Sequence, residues 1–244
     1  MTGERLLVSD IDGTLLCGGE PTPGLDLLKK TLSIYRNEVR LAFATGRSFT
    51  STWPLIASGL LPEPDGIICL VGTEVWLPPW TEPDPGYRRL IDSNWDRAAV
   101  IDATRRFSSL EYQPAEFQSP CKASFFSDDS SALPELTGEL DSRELRAAMV
   151  YSCSRYLDLL PAKAGKGFAV EYLCRLWGIP GSRVLACGDS GNDLDMLLDP
   201  RFLGVAVGNA DAQLGGITGV KSLYKSDLHF AEGILDGTEV YGFW

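Results

Sequence analysis

A chain of 244 residues, 44% hydrophobic and 23% charged, has ordinary globular composition and room for one large domain, or for a core carrying a smaller one. Its net charge of -11, with no stripe of Lys and Arg, argues against a nucleic-acid partner and means that any anionic ligand must be held by local cations. Six cysteines with no CxxC pair and a single histidine argue against a Cys/His zinc site or a disulfide scaffold.

In chain order, "RLLVSD" (5–10) predicts a strand buried on both faces, and residues 24–35 place Leu25, Leu28 and Leu32 on one face of a helix. "VRLAFAT" (39–45) and "GIICLVG" (66–72) predict further buried strands. "LPPWTEPDPG" (77–86) carries four prolines and predicts a linker or rigid turn. Beyond it come a helical pattern near 94–107, a strand at "CKASFFS" (121–127), a polar acidic stretch over 128–144 and "RAAMVYSCS" (146–154). "LDLLPAKAGKG" then leads back to core patterning, with a helix over 168–177 that aligns Ala169, Leu173, Leu176 and Trp177. Strands at "SRVLACGD" (182–189) and "GVAVGN" (204–209) follow. Alternation of this kind predicts an α/β fold: an open parallel sheet with helices on both faces. The core is expected over 1–79 and 160–244, with a smaller α+β insertion over 80–159. No apolar run approaches the roughly 18 residues of a membrane span, and no basic-then-apolar leader opens the chain, so the expected compartment is cytoplasmic.

In an open α/β sheet, ligands sit beyond the carboxyl ends of the strands. The polar clusters fall there. Asp10 and Asp12 end the first strand two residues apart, on the same side of an extended segment. Gly13 permits a sharp turn, and Thr14 can bond that turn or a phosphate oxygen. Close carboxylates repel unless a cation or a reaction needs them, and Mg²⁺, a hard ion with oxygen ligands, suits them. "GDSGND" (188–193) adds Asp189 and Asp193 as metal ligands, with Ser190 and Asn192 as polar partners. "TGRS" (45–48) offers the Thr45 hydroxyl, Gly46 for close approach, the Arg47 guanidinium and Ser48. "AGKGFA" (164–169) puts Lys166 at a helix start, where anions are already favoured.

DxDGT, a strand ending in ATGR, a Lys before a helix and GDSGND, in this order, resemble the four motifs of the haloacid dehalogenase-like hydrolases. The resemblance spans the core. It implies a Rossmann-like sheet and Mg²⁺-dependent phosphoryl transfer, with Asp10 as nucleophile forming an aspartyl-phosphate and Asp12 as general acid and base. It further implies that Thr45 and Lys166 hold the phosphoryl group. Mg²⁺ would be held by Asp10, Asp189 and the backbone carbonyl of Asp12, with Asp193 in support. The insertion lies where members with a C2-type cap carry theirs.

"VGTEVW" (71–76), "KASFF" (122–126) and "LDLLPAKAGKGFAVEYL" (157–173) resemble the sucrose-phosphate phosphatases. "SCSRYLD" (152–158) departs from the "SSGxxxD" form associated with them. The implied reaction is hydrolysis of sucrose 6-phosphate to sucrose and phosphate. Glucosyl- or mannosyl-3-phosphoglycerate hydrolysis is the alternative, followed by a sugar phosphotransferase or mutase and by a non-catalytic partner of a sugar-phosphate synthase. A phosphorylated sugar is the expected small-molecule partner, and a synthase a further one. Glu74, at the end of a buried strand, and Lys122 and Ser124, alternating onto one face of a cap strand, are the expected sugar-binding residues, unless Glu74 and Lys122 simply pair in solvent. Trp76, Trp80 and Trp95 are expected to pack, and His229 to mark a helix entry.

Overall fold

In the computed structural model, which describes residues 4–92 and 94–244, the apolar runs pair into a single large sheet. The first strand, β1 (Arg5–Ser9), is followed by a two-residue hairpin of β2 (Leu16–Cys17) and β3 (Glu20–Pro21), then by α1 (Leu25–Ile34). β4 (Val39–Ala44), α2 (Phe49–Ala57), β5 (Gly66–Cys69) and β6 (Glu74–Trp76) complete the first stretch of core. Two short helices, α3 (Pro85–Ile91) and α4 (Arg97–Thr104), lead into β7 (Glu111–Tyr112) and β8 (Ala123–Phe126). After α5 (Leu133–Ser142), the hairpin of β9 (Ala147–Ser152) and β10 (Tyr156–Pro161) returns the chain to α6 (Lys166–Trp177) and β11 (Val184–Gly188). α7 (Leu194–Leu197), β12 (Leu203–Ala206), α8 (Ala212–Gly215), β13 (Leu223–Lys225) and α9 (Phe230–Val240) close the fold.

The sheet order is β13-β12-β11-β1-β4-β5-β6, parallel except for β6, which runs antiparallel to β5. β1 lies at its centre, flanked by β11 and β4. Its Leu6 and Val8 belong to one apolar cluster and Leu7 to another, so the sheet is covered on both faces. α6 buries Ala169, Val170 and Leu173 on one side, while α1 buries Leu25, Leu28 and Leu32 on the other. A second sheet, β7-β8-β10-β9, is antiparallel and packs with α4 and α5 around its own cluster, which includes Val100, Leu136, Leu140 and Leu157.

Three sequence expectations shift. The stretch 128–144, read as polar and acidic, contains α5, whose Leu136 and Leu140 recur at helical spacing and are buried. The proline-rich segment ends in a helix: the Asp84 side chain caps α3, and Tyr87 and Ile91 of that helix pack in the main core. The strand expected over 66–72 stops at Cys69. Leu70, Val71 and Gly72 all take left-handed conformations (φ 50, 59 and 84°), which reverses the chain, so Glu74 opens β6 instead of ending a strand.

Candidate active site

The two acidic motifs around Asp10 and Asp189 both emerge at the carboxyl ends of parallel strands. Asp10 follows β1, Asp189 follows β11, and Asp193 closes the turn after it. One carboxylate oxygen from each of Asp10, Asp189 and Asp193 lies within 4.8 Å of the other two. Gly13 makes that approach feasible: its φ is 81°, and a Cβ there would fall 2.2 Å from Asp189 Oδ2. Lys166, the first residue of α6, is fully buried and donates to Asp10 Oδ1 at 2.7 Å and to Asp193 Oδ1 at 2.6 Å. Asp193 Oδ2 accepts the amides of Asp189 and Ser190, and with Ser190 forms a capping box. Asp193 is thus fully committed to protein donors. Asp10 Oδ2 and Asp189 Oδ2 accept no hydrogen bond from the described residues, while Asp189 Oδ1 accepts from Thr14 at 3.2 Å.

The electrostatics follow from burial. Loss of water pushes the Asp10 carboxyl well above its usual value; Asp193 and Asp189 push the same way and Lys166 opposes them. Burial, then Asp193, lifts Asp189 to about 7. Burial also works against the Lys166 charge, but Asp10 and Asp193 outweigh it and hold the ammonium protonated. Three carboxylates around one ammonium leave uncompensated negative charge, and all the free donors are hard oxygens, so the cluster fits a divalent cation.

Above the cluster lies a cavity of about 590 Å³, walled by the main sheet's strand ends and by the second sheet. Asp10, Asp12, Gly46, Arg47, Ser48 and Asn192 line it, as do Asp189 and Lys122. Arg47 holds Asp12 through two hydrogen bonds of 2.6 Å, and this half-exposed carboxylate stands outside the three-carboxylate group. Asn192 Oδ1 is buried without a partner among the described residues. Thr45 is buried beneath the cavity, its hydroxyl accepting the Arg47 amide. Lys122 pairs with Asp158 at 3.0 Å, not with Glu74. Ser124 is not on the cavity wall: its hydroxyl is buried against Asp158 and the Phe117 carbonyl. Glu74 is not brought there either, because the reversal at 70–72 turns it away and its carboxylate accepts the Trp76 indole at 2.9 Å.

The family model for sucrose-6F-phosphate phosphohydrolase matches residues 3–242. The chain belongs to that family. Sucrose-phosphatase 1 of Nicotiana tabacum is 36% identical over 219 residues, 86% of this chain and 51% of that protein. The chain spans about half the length of the curated plant relatives it matches. Mannosylfructose-phosphate phosphatase of Agrobacterium fabrum is 30% identical over 98% of this chain and 97% of its own. The solved sucrose-phosphatase of Synechocystis, in complex with sucrose and phosphate, superimposes with a TM-score of 0.91 at 29% identity, covering 98% of both chains. Haloacid dehalogenase-like hydrolases share the fold at identities as low as 16%.

Several residues of this family member that build the site escaped the sequence reading. Asp158 is one, although a charge inside "YLDLLP" signals a buried carboxylate with a partner. Asn209 is another: it donates to the Gly13 carbonyl at 2.7 Å and accepts the Phe230 amide, tying the acidic turn to the start of α9. Gln113 and Glu116 also reach the cavity from the second sheet's edge. Elsewhere the packing readings hold. Trp76 stacks on Phe49 at 3.9 Å, Trp80 joins the same aromatic group, Trp95 donates to the Pro120 carbonyl, and His229 is the N-cap of α9.

The raised carboxyls make cation binding pH-dependent. A cation must displace protons from Asp10 and Asp189, so its affinity is expected to rise as pH climbs through about 7. The folded pKa of Asp189 is above its unfolded value, so its stabilising share is complete at acid pH and is lost as pH rises through about 7. Added MgCl₂ should therefore raise the melting temperature more at pH 8 than at pH 6. An equal shift at both pH values contradicts the assignment.

Proposed function

We propose that the chain is a Mg²⁺-dependent phosphatase that hydrolyses sucrose 6-phosphate to sucrose and phosphate. The observation that carries this reading is the Asp10–Lys166–Asp193–Asp189 cluster at the floor of a cavity large enough for a phosphorylated disaccharide. Residues 80–159 act in this reading as the cap over a core of 1–79 and 160–244, except that α3 packs on the core and the cap's own cluster begins beyond it. Bound Mg²⁺, held by Asp10 and Asp189, supplies charge neutralisation for the phosphoryl oxygens.

The chain's own residues do the rest. Lys166 fixes the Asp10 carboxylate in place, with its remaining proton free for a phosphoryl oxygen. Asp10 attacks phosphorus; the bond from phosphorus to the sugar oxygen breaks, and Asp12 gives that oxygen its proton. Water then attacks the aspartyl-phosphate, Asp12 takes the water's proton, and the bond to Asp10 is released as phosphate leaves. Asp12 lines the cavity, and since Arg47 occupies both of its oxygens, this role requires Asp12 to leave that pairing when substrate binds. Thr45, beneath the loop of Gly46 and Ser48, completes the phosphoryl cradle, and Asn192, with its unpartnered buried oxygen, is a substrate contact. Lys122 meets the sugar from the cap.

The full-length similarity to a mannosylfructose-phosphate phosphatase favours a second reading, in which the disaccharide differs and the chemistry does not. Six free cysteines suit a reducing, cytoplasmic setting, and a sugar-phosphate synthase is the enzyme class that would supply the substrate. Phosphate release from a panel of phosphorylated sugars, with MgCl₂ and with EDTA, tests the proposal. Sucrose 6-phosphate is expected to be the best substrate and EDTA to stop the reaction. Faster turnover of mannosylfructose 6-phosphate selects the second reading, and undiminished activity in EDTA removes the metal.

A further inference from the structure

We infer that the cavity selects for a neutral polyol as leaving group and rejects one that carries its own carboxylate, with Glu116 as the specificity-determining residue. This rests on the phosphatase reading above. Among the described residues lining the cavity, the cations are Arg47 and Lys122, and each is already held by a carboxylate. Arg47 gives two hydrogen bonds to Asp12. Lys122 pairs with Asp158 at 3.0 Å, both side chains being almost wholly buried, and Asp158 also takes the Ser124 hydroxyl. A ligand carboxylate entering from the cap side could be neutralised only by breaking one of these pairs.

Glu116 adds repulsion. It sits on the turn Ala115–Phe117, is exposed, and has no hydrogen-bond or ion-pair partner among the described residues. It lines the cavity, and no cation among the described residues pairs with its charge. Sugar hydroxyls can donate to Glu116 and Asp158 and accept from the remaining protons of Lys122. A glycerate carboxylate can only accept, and it meets a like charge. The phosphoryl end is unaffected by this filter, because its cations belong to the floor of the site.

The test compares kcat/KM for sucrose 6-phosphate and for glucosyl-3-phosphoglycerate, with MgCl₂ present, in wild type, Glu116→Gln and Glu116→Lys. Wild type is expected to prefer the neutral glycoside. The preference should narrow from Glu to Gln to Lys, by about tenfold over the series for charges a few ångströms apart. In wild type it should also narrow between about 0.01 and 1 M salt, where the screening length falls from ~30 to ~3 Å, and in Glu116→Gln it should respond less. Equal use of both esters by wild type, or a ratio indifferent to residue 116 and to salt while sucrose 6-phosphate turns over, overturns the inference. Hydrolysis of neither ester, nor of mannosylfructose 6-phosphate, overturns the phosphatase reading itself, and the inference with it, so the two failures are distinct.

Discussion

Asp10→Asn is expected to reduce phosphate release by at least about 10⁴-fold, on the scale at which removal of a covalent nucleophile acts, while the protein stays folded. The two halves of this expectation have separate causes. An amide keeps the shape of the side chain and can still accept from Lys166 through its oxygen. It offers phosphorus no anionic oxygen, so the aspartyl-phosphate cannot form. Stability moves the other way from activity. Asp10 is one of three carboxylates within 4.8 Å, and burial raises its pKa far above the unfolded value. A raised folded pKa means that ionising this group works against folding as pH rises. Without added cation at pH 8, the variant should melt no lower than wild type. It should also gain less from MgCl₂, because one of the free carboxylate oxygens is gone. Calorimetric melts with and without MgCl₂, beside the phosphate assay, check both halves. Activity near wild type removes Asp10 as nucleophile, and a large fall in melting temperature shows that its charge supports the fold.

Three of the residues that were legible before folding share one property: they end apolar runs. Asp10, Thr45 and Asp189 each follow a stretch too hydrophobic to be anything but a buried strand, and a parallel sheet sends all such ends to one edge. Lys166 was legible because α6 has a clear apolar face and the lysine stands at its start. The cap side of the cavity obeys a different logic. Its strands are antiparallel, and what a side chain there touches depends on register between distant segments. The alternation of Lys122 and Ser124 was visible, but the β8–β10 pairing sets Ser124 opposite Asp158, 34 residues away, and Phe117 closes over the hydroxyl. Lys122 reaches the cavity and Ser124 does not. Glu74 failed for a local reason: Leu70 and Val71 adopt left-handed backbone that branched and bulky residues rarely take, so no pattern of hydrophobicity announces the turn. α5 failed because its acidic face hid the spacing of Leu133, Leu136 and Leu140.

Lys166→Met carries the largest combined effect on fold and chemistry. The ammonium is fully buried between Asp10 and Asp193, and its removal leaves two carboxylates without water and without a counter-charge. Breaking a buried pair in this way costs about 3–5 kcal/mol. In a protein of this size each kcal/mol shifts the midpoint by roughly 2–4 °C, so the melting temperature should fall by about 6–20 °C. Activity should fall by at least about 10³-fold even at temperatures where the variant is folded, because the nucleophile loses its anchor and the phosphoryl group loses a cation. A double variant separates the two losses. In Lys166→Met with Asp10→Asn, the carboxylate that remains, Asp193, still accepts the amides of Asp189 and Ser190. Much of the lost stability should return, giving a coupling between positions 10 and 166 well above the few tenths of a kcal/mol seen for independent sites. Activity should not return at all. If the two substitutions add without coupling, the lysine is not what holds Asp10. If the single variant keeps its melting temperature, the buried charge is compensated by something other than this ion pair, and the cluster must be redrawn around a cation that is bound in the resting protein.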